Sequence, residues 1–320
     1  MQDTPRSFDT ALTGLGWSDW LRTADEIVEA DGHVENLGPD HAAVFYEDKP
    51  VLLVTFETHH GIAALSQPAH PIGWTMVKAL GWSHLCVVAN GDTWFRDRHV
   101  YGYFDRLADD GFFDEFEQVI FYGAGACGYA AAAFSVAAPG AKVLALQPQA
   151  TLDPRVTEWD DRYSHMRRTA FDDRYGYAPD MLDAATRAVV VYDPEIPLDA
   201  MHAALFTRPN VMKLRMRHLG NQLEHSLMGM GVLLRMLAQL SADKLDQPSL
   251  AQLYRERRTH APYLKRVLAK LEQAGRLRLV ALWCQCILRR TPGPRFRRAT
   301  RAAYNAAEAQ GVAMPKREVD

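Results

Sequence analysis

The sequence predicts a three-layer α/β sandwich with a mostly parallel sheet, followed by an all-helical module. Short apolar runs of β-prone residues alternate with helix-like segments from about residue 41 to 240. After Gln247-Pro248 the strand-like runs stop and only helical patterns follow. We therefore expect a helical N-terminal lead-in over 1–40, an α/β domain over 41–240 and a basic helical module over 241–320.

Composition and termini indicate a cytoplasmic globular protein. Of the 320 residues, 48% are hydrophobic and 23% are charged, which is ordinary for a soluble domain. The four cysteines show no paired pattern, and the N-terminus lacks the apolar core of a secretion signal. No apolar run approaches the ~20 residues that a transmembrane helix needs.

The first elements are a helix and several strands. Trp17, Trp20 and Ile27 recur at helical spacing, which predicts the lead-in helix. The β-prone runs 43–46 and 51–56 flank a turn-like segment and predict a hairpin.

The central stretch, 117–149, predicts a strand, a glycine-rich turn, a helix and a second strand. The apolar run 119–122 leads into the glycines, an alanine-rich helix follows, and the run 143–146 comes after Pro139-Gly140. This length suits the crossover between two parallel strands.

The remaining elements continue the alternation. The polar, aromatic stretch 153–177 has few helix or strand signals and is typical of a binding loop or lid. Further strands are predicted over 188–192 and 211–216, and one amphipathic helix over 223–240. The predicted C-terminal helices are 250–257, 263–273, 276–289 and 295–310.

One interpretation of the glycine turn is a dinucleotide site. Gly123, Gly125 and Gly128 match G-x-G-x-x-G between a strand and a helix, a pattern used to bind NAD(P) or FAD. Such a site also requires an acidic residue after the next strand, where this chain has the neutral Gln147. An oxidoreductase therefore stands as an alternative.

The other interpretation is a nucleophile elbow, the sharp strand-to-helix turn of G-x-S-x-G. The residues from Phe121 to Ala131 read Phe-Tyr-Gly-Ala-Gly-Ala-Cys-Gly-Tyr-Ala-Ala. They resemble the elbow of α/β-hydrolase-fold proteins that continues Gly-Gly-Tyr-Ala-Ala. In that alignment Gly125 stands where the family has serine, so the nucleophile is missing. Cys127, near the start of the helix, is the candidate substitute, because helix amides favour a thiolate.

The resemblance also implies the positions of the other catalytic groups. Asp193 follows the strand 188–192, and His218 follows the strand 211–216, in the family's order of nucleophile, acid and histidine. The loop after the strand 51–56 corresponds to the oxyanion loop. We therefore expect Glu57 and Thr58 beside the elbow.

The resemblance thus implies a ligand pocket at the elbow. The predicted ligand-binding residues are Glu57, Thr58, Gly125 and Ala126. We predict no metal site, because the adjacent His59 and His60 point apart. No cofactor is predicted either, except under the dinucleotide alternative.

The whole chain also resembles bacterial proteins commonly labelled phosphoadenosine phosphosulfate reductase. The residues do not carry that chemistry: the Ser-Gly-Gly-x-Asp-Ser type loop and the C-terminal cysteine motif are absent from the sequence. This activity is kept only as a remote alternative.

Charge is distributed unevenly along the chain. Residues 251–320 contain 16 Lys and Arg against 5 Asp and Glu, whereas residues 1–250 contain 20 against 34. The basic helices are predicted to face either the acidic body of the same chain or an anionic partner such as nucleic acid or a membrane surface.

These features predict a non-catalytic or degenerate α/β-hydrolase-like protein that binds a small molecule or a partner. The enzyme alternative is a hydrolase or acyltransferase that uses Asp193 and His218 with an atypical nucleophile.

Overall fold

The fold is an eight-stranded, mostly parallel sheet covered by helices on both faces, with a helical region at the C-terminus. The structure is a computed structural model, and it describes residues 7–48 and 50–316. The three-layer sandwich and the helical C-terminal region confirm the predicted fold class.

The sheet has the spatial order β1-β2-β4-β3-β5-β6-β7-β8. Strands β1 and β2 run antiparallel to their neighbours, and the remaining pairs are parallel. The strands are β1 Gly32–Asn36, β2 His41–Tyr46, β3 Val51–Thr58, β4 Ser83–Ala89, β5 Gln118–Ala124, β6 Lys142–Leu146, β7 Arg187–Tyr192 and β8 Val211–Arg215.

The helices of the first compact unit, which ends at Leu253, lie between and after these strands. They are α1 Trp17–Val28, α2 His59–Leu65, α3 Gly73–Leu80, α4 Arg98–Asp109, α5 Ala126–Phe134, α6 Pro154–Thr157, α7 Ala178–Met181, α8 Pro197–Leu205, α9 Leu223–Gly229, α10 Leu233–Ser241 and α11 Gln247–Leu253. The second unit contains α12 Ala261–Gln273, α13 Leu277–Leu288 and α14 Pro294–Gln310. Among the described residues, no helix is both long and apolar enough to cross a membrane.

The predicted hairpin between 43–46 and 51–56 is wrong. Both segments are strands, but β4 lies between them, antiparallel to β2 and parallel to β3. All seven residues of β4 are buried, so pairing on both edges also satisfies backbone groups that are shielded from water.

Two further elements differ from prediction. The segment Gly32–Asn36 is the edge strand β1, although it falls within the lead-in predicted to be helical over 1–40. The single helix predicted over 223–240 is two helices, because Gly231 adopts a left-handed φ of 63° between α9 and α10.

The stretch 153–177 is anchored to the body by Arg96, whose side chain is only 1% exposed. The guanidinium donates to the carbonyl oxygens of Ala170 and Arg174 and to the Tyr129 hydroxyl, at 3.0, 2.9 and 3.2 Å. This stretch contains α6 and a short 3₁₀ segment, and the buried Arg96 holds it against α5.

Candidate functional site

The turn between β5 and α5 is built around Gly125, whose backbone angles are φ 60° and ψ −125°. Two flanking glycines are required by space. A Cβ on Gly123 would lie 2.1 Å from the Cys127 carbonyl oxygen, and one on Gly128 would lie 3.0 Å from the Leu146 carbonyl oxygen. A Cβ on Gly125 would meet no heavy atom within 4 Å. The glycine at the apex therefore leaves open space above the turn.

A cleft of about 440 Å³ lies above this turn, at the carboxyl ends of the parallel strands. Its lining consists of Ala124, Gly125, Gln147, Gln149, Arg162, Tyr163, Asp199, Asn221, Gln222, Glu224 and His225. All of these except Ala124 and Gly125 have a polar side chain. The cleft is therefore suited to a ligand that forms many hydrogen bonds.

Arg162 forms one wall of the cleft and joins two buried carboxylates. Its Nη2 lies 2.7 Å from Asp160 Oδ2, and its Nη1 lies 2.6 Å from Asp199 Oδ1. The two aspartate side chains are 0% and 4% exposed. Burial tends to lower the pKa of Arg162, but the hydrogen bonds to Asp160 and Asp199 outweigh it and raise the pKa overall. The guanidinium thus stays charged and balances carboxylates that have little water around them.

His202 extends this network under the cleft. Its Nδ1 accepts from the Ala150 amide at 3.1 Å, so its Nε2 carries the proton and donates to Asp160 Oδ2 at 2.9 Å. Burial lowers the pKa of His202, although Asp160 opposes this effect. We infer a neutral imidazole that fixes the loop after β6.

Gln147 connects three parts of the cleft. Its Nε2 donates to Asp199 Oδ2 at 2.7 Å and to the Gly220 carbonyl at 3.3 Å, and its Oε1 accepts from the Leu223 amide at 3.3 Å. Gln147 stands where a dinucleotide fold needs an acid that binds the ribose, and its side chain is already hydrogen-bonded within the protein.

Gln149 has an acceptor to spare. Its Nε2 donates to the Gln147 carbonyl at 3.2 Å, whereas its buried Oε1 has no hydrogen-bond partner among the described residues. A buried amide oxygen without a hydrogen-bond partner destabilises the folded protein. In the lining of a cleft, such an oxygen can accept a hydrogen bond from a ligand.

The two predicted acid and histidine residues lie in adjacent loops but are engaged elsewhere. Asp193 accepts from the Glu195 amide at 3.0 Å and from the Gly220 amide at 2.7 Å. His218 Nδ1 lies 2.8 Å from a different carboxylate, Glu195 Oε2. Neither Asp193 nor His218 belongs to the lining of the cleft above Gly125. Backbone amides donate to both oxygens of Asp193. The carboxylate beside His218 is that of Glu195, whereas the sequence predicted Asp193 there.

Cys127 lies in the first turn of α5, as expected, but its environment disfavours a thiolate. Burial raises the pKa of the thiol well above its ordinary value, and the nearby carboxyl groups of Glu224 and Glu57 raise it further. Glu224 lines the cleft and accepts from the Tyr122 hydroxyl at 2.5 Å. Burial raises the pKa of Glu224 as well, while the bond from Tyr122 opposes this.

Glu57 and Thr58 do not line the cleft. Glu57 is buried at the end of β3, where it accepts from the Thr55 hydroxyl at 2.7 Å and from the Ile72 amide at 3.2 Å. Burial raises the pKa of Glu57 to about 7. Thr58 caps α2 by accepting from the Gly61 amide at 2.9 Å. The oxyanion loop predicted here is instead the end of a strand and the start of a helix.

Glu57 belongs to a buried polar cluster that the sequence did not predict. Ligand atoms of Glu57, His84 and Cys86 lie within 4.8 Å of one another, a spacing that a metal ion could use. The Thr55 hydroxyl already bridges Glu57 and His84 Nε2, at 2.7 and 2.9 Å. Burial lowers the pKa of His84 to about 3, so this imidazole is neutral.

Sequence reasoning found the turn and missed most of the cleft. Of the predicted residues, Gly125 lines it, and Ala126 is partly exposed beside it. The lining residues missed include Arg162, Gln149, Asn221 and Glu224, and Asp160, which pairs with Arg162, was missed as well. The signal that was available for Asp160 and Arg162 was their position in the polar stretch 153–177, which was predicted to be a binding loop.

Comparisons with known proteins gave matches only among solved structures; no family model and no curated protein matches the chain. Est1E from Butyrivibrio proteoclasticus shares 14% identity at a TM-score of 0.41, covering 66% of this chain and 99% of that one. An esterase of Pyrobaculum calidifontis shares 15% at 0.44, covering 67% and 87%. The capsule O-acetyltransferase of Neisseria meningitidis serogroup A shares 9% at 0.41, covering 64% and 93%.

These similarities do not determine what the chain does, because identities and scores this low do not carry function. The architecture rests on the sheet itself. The chain has a three-layer α/β fold with a polar cleft above the strand-to-helix turn.

Proposed function

We propose that this chain is a non-catalytic α/β-hydrolase-like protein that binds a small polar molecule in the cleft above Gly125. The observation that carries the proposal is the turn at Gly125, which has the shape of a nucleophile elbow but no side chain at its apex. The open space above it joins a cleft of about 440 Å³, within the size range of small-molecule sites.

The neighbouring residues support binding without covalent catalysis. Cys127 is held as a neutral thiol by burial and by nearby carboxyl groups. A nucleophile needs an adjacent base, and His218 is bonded to Glu195 outside the cleft lining. The enzyme alternative with Asp193, His218 and Cys127 therefore has less support. The dinucleotide alternative also has less support, because the close packing of strand and helix already explains why Gly123 and Gly128 are glycines.

The charges of the cleft favour a neutral ligand. Asp160 and Asp199 already balance Arg162, so this arginine is not free to attract an anion. Glu224 adds an acidic group without a described basic partner in direct contact. An apolar ligand would leave amide groups such as Gln149 Oε1 unpaired, which is costly. We infer a neutral compound with several hydroxyl or amide groups.

A ligand screen by thermal unfolding tests the binding proposal. Neutral sugars and polyols should raise the Tm, whereas sugar phosphates and apolar esters of similar size should not. A ligand at about one hundred times its Kd stabilises by ~2.7 kcal/mol, which corresponds to a rise of several degrees.

The variant Asn221→Trp would fill the cleft from an exposed loop and should abolish the shift. Its matched control, Gln252→Trp on the exposed side of α11, should keep it. Stabilisation that survives Asn221→Trp would place the binding site elsewhere.

Covalent probes test the absence of catalysis. We expect no fluorophosphonate labelling and hydrolysis of p-nitrophenyl acetate only at the rate of buffer. Iodoacetamide should modify the exposed Cys286 long before the half-buried Cys127. Ester hydrolysis above the buffer rate that disappears in Cys127→Ala would refute the non-catalytic proposal.

A further inference from the structure

The helix α13 in the second unit has an exposed apolar face that packing does not explain. Leu279 and Leu282 are 47% and 42% exposed, and Cys286 is also exposed. The opposite side of the helix buries Val280, Ala281, Cys284 and Ile287. The helix therefore has its own core contacts, and the leucines form a separate outer surface.

This outer face is continuous and has a basic residue near each end. An α-helix turns about 100° per residue, so Leu279, Leu282 and Cys286 lie within an arc of about 60°. Arg278 lies beside the beginning of this face, and Arg290 lies in the turn that follows the end of α13. We call these five residues the α13 surface. Its helical part, from Arg278 to Cys286, extends about 12 Å along the helix axis.

The α13 surface adjoins a groove of about 330 Å³ within the same unit. Apolar groups of Leu264, Trp283 and Ile287 line the groove together with Cys286, Arg258, Arg290 and Thr291. Trp283 is fixed by donating from Nε1 to the Leu264 carbonyl at 3.2 Å. Because Cys286 and Arg290 belong to both features, apolar and basic groups are interleaved over one patch.

The arginines of this patch form no ion pair within the described part of the chain. Among residues 7–48 and 50–316, no carboxylate forms an ion pair with Arg258, Arg278 or Arg290. The second unit, residues 254–320, contains 16 Lys and Arg against 5 Asp and Glu, although the whole chain has a net charge of −3. Attraction to an anion would thus come from this unit locally and not from the protein as a whole.

We propose that the α13 surface docks onto an anionic lipid bilayer. The leucines would enter the boundary between headgroups and acyl chains, while Arg258, Arg278 and Arg290 would contact lipid phosphates. A nucleic acid offers the same phosphate charge but would leave the two leucines in water. The combination of exposed leucines with unpaired arginines therefore favours the lipid surface.

The test is co-sedimentation of the full chain with large vesicles of two compositions. Vesicles that contain phosphatidylglycerol should retain the protein, and vesicles of phosphatidylcholine alone should not. Each arginine near an anionic surface contributes about fivefold to partitioning, so Arg278→Gln/Arg290→Gln should reduce retention by about twenty-five-fold. Raised salt should also weaken binding.

The apolar contribution is tested separately. Leu279→Ser/Leu282→Ser should lose retention on the anionic vesicles, while Leu80→Ser, which changes a 50% exposed leucine of the first unit, should behave as the parent. Because all three leucines are exposed, we expect these variants to fold, which circular dichroism checks.

A dye on Cys286, attached in a Cys127→Ala background, reports the location directly. Its emission should shift to the blue when anionic vesicles are added. An unshifted dye on bound protein would overturn the proposal, as would retention unaffected by the leucine changes. Binding to a DNA duplex that competes fully with the vesicles, combined with insensitivity to the leucine changes, would assign the surface to nucleic acid instead.

Discussion

The two sides of the turn between β5 and α5 differ sharply. On the side that faces the protein, Gly123 and Gly128 bring strand and helix so close that a Cβ would lie 2.1 or 3.0 Å from a carbonyl oxygen. On the side that faces the cleft, the space above Gly125 is open to at least 4 Å. Glycine thus allows close packing at positions 123 and 128, whereas at position 125 it leaves open space.

The geometry of the turn and its chemistry therefore depend on different glycines. The packed side keeps the strand-to-helix geometry that presents a side chain above a sheet. The open side lacks that side chain, although space for it remains. Contacts with neighbouring atoms do not demand a glycine at position 125, although its positive φ favours one.

Adding one methyl group at each position tests the contrast most strongly. Gly123→Ala must displace the backbone around Cys127, and we expect it to lower the free energy of unfolding by more than about 4 kcal/mol. Gly125→Ala meets only the strain of a positive φ, about 1–3 kcal/mol. Urea unfolding followed by circular dichroism measures both changes. Equal losses at the two positions would show that the open side is closed in solution.

The cleft wall gives a second comparison, between two Asp-x-Arg pairs of nearly identical geometry. In Asp160–Arg162 and Asp153–Arg155, Nε lies 3.0 Å from Oδ1, and Nη2 lies 2.7 or 2.6 Å from Oδ2. The Arg155 side chain is 69% exposed, whereas that of Arg162 is 29% exposed and also holds the buried Asp199.

Removing each arginine should therefore have unequal effects. Arg162→Met leaves two buried carboxylates without a counter-charge, and we expect a loss of about 3–5 kcal/mol in the free energy of unfolding. Arg155→Met removes a solvated partner and should change stability little. Urea unfolding of the two variants measures the difference. A small effect of Arg162→Met would mean that water already reaches Asp160 and Asp199.

The fold was largely predictable because it follows from local patterns. Apolar strands alternating with helices predict parallel pairs, and the glycine cluster after β5 predicts a tight turn. The order of strands was not predictable at β2 and β3, because the insertion of β4 between them depends on long-range pairing. The edge strand β1 escaped detection because its half-exposed residues form no apolar run.

The candidate site was predicted only at Gly125. Arg162, Asp199 and Gln147 are separated by up to 52 residues in the chain and meet only in the folded protein. The pairing of His218 with Glu195 depends on which carboxylate the turn after β7 leaves free, since backbone amides occupy Asp193. Spacing in the sequence does not contain that information. The proposed roles of Cys127, Ala126 and the domain boundaries at 40 and 240 stay predictions.

A third prediction, with a smaller effect, concerns Glu57, a buried acid at the end of β3. Its pKa in the folded protein is about 7, compared with 4.5 when it is unperturbed. The folded state therefore keeps the Glu57 proton to higher pH than the unfolded state does. This contribution to stability is complete below about pH 4.5 and is lost as the pH rises through about 7. The full loss amounts to roughly 3 kcal/mol.

Glu57→Gln fixes the neutral form and should remove this part of the pH dependence. Relative to the parent, we expect the variant to gain roughly 3 kcal/mol between acidic and mildly alkaline pH. Urea unfolding across that range provides the measurement, with the exposed Glu117→Gln as a control that should follow the parent. Parallel curves for Glu57→Gln and the parent would show that Glu57 ionises as readily in the folded chain as in water, and hence that water reaches the end of β3.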